Sequence, residues 1–280
     1  MKLSQRLAIS YIRTKFKLLA ALSRKKAAEK AFELFCTPQR RNSRKLPKIF
    51  EQAENLQFRL DGNMIKGWRW NHPAEKKLLI LHGYESSVTN FERYIKPLIK
   101  KGYEVFAFDA PAHGRSGGKK INAPLYKKMI LAIHKKYGPV QSYLAHSFGG
   151  LAVSLALEEI SHTNNYKLIL IAPATETSTA ITTFFNFLQL NPAIRKDFEQ
   201  CIINAGGESS DWYSIKRAMK NIRAKVLWVH DKEDDITPVS DVIKVQEENY
   251  PGIEFVFTSG LGHRRIYRDN KVTNLIVDFL

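Results

Sequence analysis

The spacing of apolar and polar positions after residue 54 predicts strands and helices in alternation. Residues 56–60 and 64–70 alternate around Asp61-Gly62, which is the pattern of a β-hairpin. Further strands are predicted at 77–81, 103–108, 140–144, 167–171, 226–229 and 254–257. Helical patterns separate them at 91–101, 124–136, 151–157, 239–249 and 266–280. This order favours an α/β fold with a mostly parallel sheet and helices on both faces.

The first 50 residues predict a separate, basic helical extension. Residues 2–35 contain no Gly or Pro, which is typical of a helix, and residues 36–48 contain two prolines, which favours an extended connection. At 100° per residue the predicted helix carries one basic stripe, made of Lys2, Arg6, Arg13, Lys17 and Arg24. A second face is apolar, with Leu3, Leu7, Tyr11, Leu18 and Leu22, and it is widened by Ile12, Phe16 and Leu19.

The charge of the chain is concentrated in this extension. The chain has 280 residues and a net charge of +17, and residues 1–50 hold 14 Lys or Arg against only Glu29 and Glu33. Two roles for residues 1–35 follow: peripheral contact with an anionic membrane surface, or packing on the rest of the chain or on a second copy. The apolar arc spans about half of the helix, so we expect these leucines to be buried. No nucleic-acid motif accompanies the charge, and no nucleic-acid partner is predicted.

The remaining composition bears on the cellular compartment. Cys36 and Cys201 cannot form a disulfide framework and suit a reducing environment. No apolar run reaches the length of a membrane span, and Arg13, Lys15 and Lys17 interrupt any signal-peptide core. We therefore expect a cytoplasmic protein, with membrane-peripheral association as the other option.

Candidate chemistry centres on Ala145-His146-Ser147-Phe148-Gly149, which lies between a predicted strand and a predicted helix. Small residues two positions before and after Ser147 permit a sharp strand-to-helix turn. Such a turn exposes the serine hydroxyl at the carboxyl edge of a sheet and places the Phe148 N–H at a helix N-terminus. The alternative is that Ser147 is an ordinary helix cap, and only the rest of the site distinguishes the two.

The ends of other predicted strands carry His82-Gly83-Tyr84, the run 109–116, the acidic cluster 231–235 and Gly260-Leu261-Gly262-His263. In parallel sheets reactive groups gather at these ends. With serine, acid and histidine in that order, residues 55–280 resemble the α/β-hydrolase superfamily, and in detail an uncharacterised bacterial subgroup of esterase-like serine hydrolases. The resemblance implies a hydrolase domain over 51–280 with a helical cap inserted at about 174–222.

Chemistry suggests a role for each site residue. A serine nucleophile needs an adjacent base, which His263 supplies, and the histidine needs a carboxylate partner. The superfamily pattern Asp-x-x-x-Pro, ending here at Pro238, selects Asp234 as that carboxylate, and Asp231 at a strand end is the second choice. The resemblance also assigns an oxyanion hole to the backbone N–H groups of Tyr84 and Phe148.

The other histidines in these motifs are expected to be structural. His82 would order the loop after its strand, His113 belongs to a loop-forming motif, and His146 would pack beneath the sheet edge. No His, Cys or carboxylate set has zinc-like spacing, so we predict no metal and no cofactor. The expected function is cleavage of a small carboxylic ester or thioester through an acyl-serine. An amidase or acyltransferase on the same triad, or a non-catalytic binding protein, stays open.

Overall fold

The computed structural model describes residues 3–41 and 45–280, so Lys2 of the predicted basic stripe lies outside the described residues. The chain divides into two compact units. The first combines the described part of Met1–Thr37 with Glu176–Ser214, and the second combines Pro38–Thr175 with Ile215–Leu280. The first unit therefore joins residues from the predicted extension to residues from the predicted cap insertion, whose role as a cap stays a prediction.

Within the described residues of the second unit, eight strands form one sheet in the order β1-β2-β4-β3-β5-β6-β7-β8. The strands are β1 (Glu54–Leu60), β2 (Asn63–Trp70), β3 (Lys76–Leu81), β4 (Tyr103–Phe108), β5 (Ser142–His146), β6 (Lys167–Ile171), β7 (Lys225–Asp231) and β8 (Ile253–Thr258). The pairs β1-β2 and β2-β4 are antiparallel, and the remaining pairs are parallel. The predicted, mostly parallel sheet is confirmed, and its parallel strands end at one shared edge.

The α-helices in the described part of the chain are α1 (Leu3–Leu22), α2 (Arg24–Cys36), α3 (Glu92–Lys100), α4 (Ala123–Tyr137), α5 (Phe148–Leu157), α6 (Thr177–Leu188), α7 (Arg195–Gly206), α8 (Ile215–Ala218), α9 (Val239–Gln246), α10 (Gly262–Arg265) and α11 (Asn270–Phe279). One face of the sheet forms a buried core with α3 and α11, in which Ile169 and Ile171 take part. Leu170 points to the opposite face, where it approaches Gly150 of α5. Helices therefore cover both faces, as predicted.

Two predicted helices end or begin elsewhere in the structure. The single helix expected over 2–35 is two helices, because the Ser23 side chain accepts a hydrogen bond from the Lys26 N–H at 3.3 Å and starts α2. Similarly, the helix expected over 266–280 starts as α11 only at Asn270, where the Asp269 carboxylate accepts the N–H groups of Lys271 and Val272. Short polar side chains compete for backbone N–H groups in this way, and apolar periodicity does not detect it.

The first unit is a small helical assembly. Helix α2 packs on α1 and α7, and α1 also meets α6. Edge-to-face aromatic contacts join these helices, including Phe35 with Phe184 and Phe32 with Phe198. The Arg13 guanidinium donates to the Phe187 carbonyl near the end of α6, with its Nη2 at 2.5 Å. Among the described residues, no helix is both long and apolar enough to cross a membrane.

The expectation that the leucines of α1 pack on the rest of the chain is wrong for Leu7, Leu18 and Leu22, whereas Leu19 is half-buried and the side chain of Leu3 lies outside the described residues. Leu7, Leu18 and Leu22 are 64%, 64% and 85% exposed. The helix buries its other apolar side instead, where Phe16 and Ala20 are both 8% exposed. The apolar arc predicted from the sequence therefore contains one face that is buried and one that is exposed. The width of the arc does not indicate which of the two faces packs on other helices.

Close backbone approach fixes the start of α5 against the sheet. A Cβ atom on Gly149 would lie 2.8 Å from the His82 carbonyl oxygen and 2.9 Å from that of Leu81. Both contacts are with backbone atoms of β3 and the residue that follows it, which cannot move aside as a flexible side chain can. Gly149 is therefore required for the first turn of α5 to lie directly over the end of β3.

We expect Gly149→Ala to lower the free energy of unfolding by about 1–3 kcal/mol, the usual cost of overpacking a well-filled interior. Thermal unfolding followed by circular dichroism would measure it. An unchanged melting temperature would show that α5 can shift away from β3 without cost.

Candidate active site

Ser147 occupies a strained turn between β5 and α5. Its backbone has φ +54° and ψ −123°, a region that residues with a side chain rarely adopt. Hydrogen bonds hold the turn: the Ser147 N–H donates to the Ile171 carbonyl at 3.1 Å, and the Ala174 N–H donates to the Ser147 carbonyl at 3.0 Å. The Ser147 side chain makes no capping bond to α5 within the described chain, which argues against the ordinary-cap alternative.

His263 lies beside this serine in the first turn of α10. Its Nε2 is 3.0 Å from the Ser147 Oγ, and its Nδ1 is 2.8 Å from the Asp234 Oδ2. The imidazole is 6% exposed. The structure thus brings together the three residues that the sequence placed at separate strand ends, with the histidine between the hydroxyl and the carboxylate.

Hydrogen bonds to both oxygens of Asp234 favour the ionised form of its carboxyl group. Its Oδ1 accepts the N–H groups of Ile236 and Thr237 at 2.9 and 2.8 Å, and its Oδ2 accepts the Thr237 hydroxyl at 2.9 Å. Burial by itself raises the pKa of this carboxyl, but the hydrogen bond and charge of His263, with the two amides, leave the pKa of Asp234 below its ordinary value. An ionised partner at Nδ1 is what a histidine needs when its Nε2 takes up a proton.

Asp231, the second choice, has different partners. Its Oδ2 accepts the Thr258 hydroxyl at 2.6 Å and the Leu261 N–H at 3.0 Å, and its Oδ1 accepts the Glu233 N–H at 3.0 Å. These bonds join the end of β7 to the end of β8 and to the loop that carries His263. Asp231 therefore holds the loop, and the carboxylate at His263 is that of Asp234.

The two residues assigned to the oxyanion hole flank the serine. Phe148 follows Ser147 as the first residue of α5, where N–H groups have no partner within the helix. Tyr84 follows Gly83, where a Cβ atom would lie only 2.8 Å from the Ser147 Cβ, so this loop passes directly against the serine. The ring centroids of Tyr84 and Phe148 are 6.2 Å apart. The donation of their N–H groups to an oxyanion stays a prediction.

Two buried histidines hold the loops around Tyr84. The His82 Nε2 accepts the Ala110 N–H at 2.9 Å, and the His113 Nε2 accepts the Glu85 N–H at 2.9 Å. Their Nδ1 atoms therefore carry the proton and donate to the carbonyls of Gly83 and Pro111. Burial lowers the pKa of His82 to about 4 and that of His113 to about 3, so both rings stay neutral acceptors.

Sequence reasoning missed two contacts of the candidate base. The Thr237 Oγ1 is 3.1 Å from the His263 Nδ1 in addition to its bond to Asp234. The His146 Nε2 is 3.0 Å from the His263 carbonyl oxygen, and burial lowers the pKa of His146 well below its ordinary value, so the neutral ring donates there. A hydroxyl residue one position before Pro238 was the available signal for Thr237. The contact of His146 depends on tertiary packing, and no local pattern indicates it.

Comparison with known proteins agrees with this architecture. A family model described as "Serine aminopeptidase, S33" matches residues 72–206, just under half of the chain. A putative esterase/lipase of Mycoplasma pneumoniae is 26% identical over 116 residues, and the match spans 40% of this chain and 42% of that protein. The uncharacterized protein YqkD of Bacillus subtilis is 24% identical over 245 residues, which are 80% of this chain and 78% of YqkD.

Among solved structures, an esterase of Pyrococcus furiosus superposes with a TM-score of 0.66 at 21% identity, covering 87% of this chain and 95% of the esterase. At that identity the likeness establishes the fold. The resemblance to the α/β-hydrolase superfamily is confirmed, and the chain has the α/β-hydrolase fold.

The separate partners of the two aspartates predict separate effects. Asp234→Asn should slow the reaction of Ser147 with a fluorophosphonate by orders of magnitude, on the scale of ~10⁴ known for loss of a triad aspartate, because Nδ1 loses its ionised acceptor. Asp231→Asn is the matched control and should slow the reaction much less while lowering the melting temperature. Labelling rates would be measured for both variants, and thermal unfolding would measure the melting temperature of Asp231→Asn. If Asp231→Asn slowed labelling more than Asp234→Asn did, the role would pass to Asp231.

The neutral histidines predict acid sensitivity. In the unfolded chain His113 takes up a proton near its ordinary pKa of 6.5, whereas in the fold it stays neutral to about pH 3. Between these values the unfolded chain binds more protons, so the free energy of unfolding falls on acidification, by about 1.4 kcal/mol per pH unit for this residue. Urea unfolding from pH 6 to about pH 4 should show a smaller fall in His113→Gln. Equal slopes would mean that the ring titrates normally in the fold.

Proposed function

We propose that this protein is a serine hydrolase that cleaves a carboxylic ester or thioester through an acyl-serine intermediate. The observation that carries the proposal is the pair of distances at His263, 3.0 Å from Nε2 to the Ser147 Oγ and 2.8 Å from Nδ1 to Asp234. A serine hydroxyl is a weak nucleophile at neutral pH, and this arrangement is the one that activates it. The similarity to a putative esterase/lipase and to a solved esterase supports the same class.

In the first half of the proposed reaction, the Ser147 Oγ attacks the substrate carbonyl carbon while its proton moves to the His263 Nε2. The imidazolium is stabilised by the Asp234 carboxylate. The tetrahedral oxyanion accepts hydrogen bonds from the N–H groups of Tyr84 and Phe148. The intermediate collapses by breaking the bond to the alcohol or thiol, which takes the proton from Nε2 and leaves an acyl-serine.

In the second half, water attacks the acyl carbon and gives its proton to the same Nε2. The second tetrahedral intermediate releases the carboxylic acid, and His263 returns the proton to the Ser147 Oγ. Every proton gained by Nε2 is returned within the cycle, so no cofactor or metal is needed to balance the reaction.

A second candidate function is hydrolysis of an amide bond. The specific observation that favours it is the family model, whose description is that of a serine aminopeptidase. Esters and thioesters have better leaving groups than amides, so they are the first choice of substrate for this triad. Parallel assays with p-nitrophenyl acetate, butyrate and octanoate and with aminoacyl p-nitroanilides would separate the two functions.

The nucleophile is tested by Ser147→Ala. The wild-type protein should be labelled by a fluorophosphonate and should release p-nitrophenol, and Ser147→Ala should do neither, because the hydroxyl that forms the covalent bond is removed. Ser154→Ala is the matched control: Ser154 lies two turns along the same helix, is buried, and donates to the Gly150 carbonyl at 2.9 Å. It should keep labelling and turnover.

Labelling that persists in Ser147→Ala would place the reactive group elsewhere. A wild-type protein that binds esters but neither reacts with the probe nor turns them over would support the non-catalytic binding protein instead.

A further inference from the structure

Helix α1 carries a concentration of exposed apolar side chains. Among the described residues, eight large hydrophobic side chains are exposed, and α1 contributes four of them: Leu7, Tyr11, Leu18 and Leu22. Their exposed fractions run from 64% to 85%. Scattered single apolar residues on a surface are ordinary, but a set gathered on one helix marks an interaction surface.

These four side chains form one line, which we call the apolar stripe of α1. Their spacing of 4, 7 and 4 residues places them within about 60° of one another around a helix with 100° per residue. The packing requirement of the helix is already met on the opposite side, where Phe16 and Ala20 are buried. Within its unit α1 packs on α2 and α6, and the stripe remains exposed to solvent.

Basic side chains accompany the stripe, and no acidic ones do. Helix α1 contains Arg6, Arg13, Lys15 and Lys17 but neither Asp nor Glu. Arg13 donates to the Phe187 carbonyl, whereas Arg6, Lys15 and Lys17 are exposed. Arg24, Lys25 and Lys26 follow in the first turn of α2 and are exposed too. The first acidic residue of the chain is Glu29.

The charge decides which partner fits. A second copy meeting this surface through the same helix would oppose basic residues to basic residues, with no carboxylate on α1 to pair them. The whole chain, at +17, also repels a second copy. An anionic phospholipid surface can bind both features of α1. Its acyl chains can contact the apolar side chains of the stripe, and its phosphate groups can pair with the basic side chains beside them.

We propose that α1 docks this protein on an anionic phospholipid bilayer, lying in the plane of the surface with Leu7, Tyr11, Leu18 and Leu22 in the acyl boundary. A helix of 20 residues is about 30 Å long, which gives a straight line of contact parallel to the membrane. The stems of Arg6 and Lys17 can lie along apolar surface while their charged ends reach the headgroups. This inference is independent of the proposed hydrolase activity.

The test is co-sedimentation of the full-length protein with vesicles. Vesicles of phosphatidylcholine and phosphatidylglycerol in equal parts should retain the protein, vesicles of phosphatidylcholine alone should retain much less, and added NaCl should weaken the binding by screening. Leu7→Ser with Leu18→Ser should weaken binding to the anionic vesicles about tenfold or more. Its melting temperature should be unchanged, because both side chains are exposed in the fold.

Matched controls separate the stripe from general surface properties. Ile243→Ser removes an apolar side chain that is 42% exposed on α9, and it should leave vesicle binding unchanged. Arg6→Gln with Lys17→Gln should weaken binding and reduce its salt dependence. Lys135→Gln with Lys232→Gln removes the same charge from exposed positions elsewhere and should have a much smaller effect.

Three results would overturn the proposal. The first is that the wild-type protein does not bind anionic vesicles at low salt. The second is that the Leu7→Ser, Leu18→Ser variant binds these vesicles as well as the wild type does. The third is self-association in analytical ultracentrifugation that the same substitutions abolish, without vesicle binding, which would make a second copy the partner of the stripe.

Discussion

The strained backbone of Ser147 is the constraint on which the candidate site depends. A positive φ at a residue with a side chain persists only where its surroundings enforce it. Here the Ile171 carbonyl and the Ala174 N–H fix the turn from the neighbouring strand end. Gly83 and Gly149 let β3 and its following loop approach closely enough to hold the other side. The hydroxyl is thereby presented at the sheet edge where the loops bearing Asp234 and His263 also arrive.

The site separates histidines that must stay neutral from the one that would exchange a proton. His82 and His113 accept backbone N–H groups through Nε2, a role that protonation would abolish, and burial lowers the pKa of both. His263 has an ionised carboxylate at Nδ1 and a hydroxyl at Nε2. One side-chain type thus serves as rigid scaffold in two places and as candidate base in a third, with the hydrogen-bond partners making the difference.

Much of the fold and of the candidate site was predictable because buried strands and the turns that follow them require particular residue types at neighbouring positions. Apolar runs located the strands to within about two residues, and the small residues around Ser147 and the motif around Asp234 identified groups that the structure brings together. The break at Ser23 was missed because a side-chain cap outweighs apolar periodicity. The burial of Leu7 and Leu18 was predicted wrongly. A sequence shows how wide an apolar arc is, whereas burial depends on which part of that arc packs against other helices. The contact between His146 and the His263 carbonyl joins residues 117 positions apart, so no local pattern contains it.

The exposed stripe of α1 also has a colloidal consequence. Four large apolar side chains in a line favour clustering of copies, and the net charge of +17 opposes that clustering by repulsion. Dissolved salt shortens the reach of such repulsion to about 10 Å at 0.1 M, while it leaves the apolar attraction in place. We therefore expect ionic strength to control whether copies of this chain cluster through the stripe.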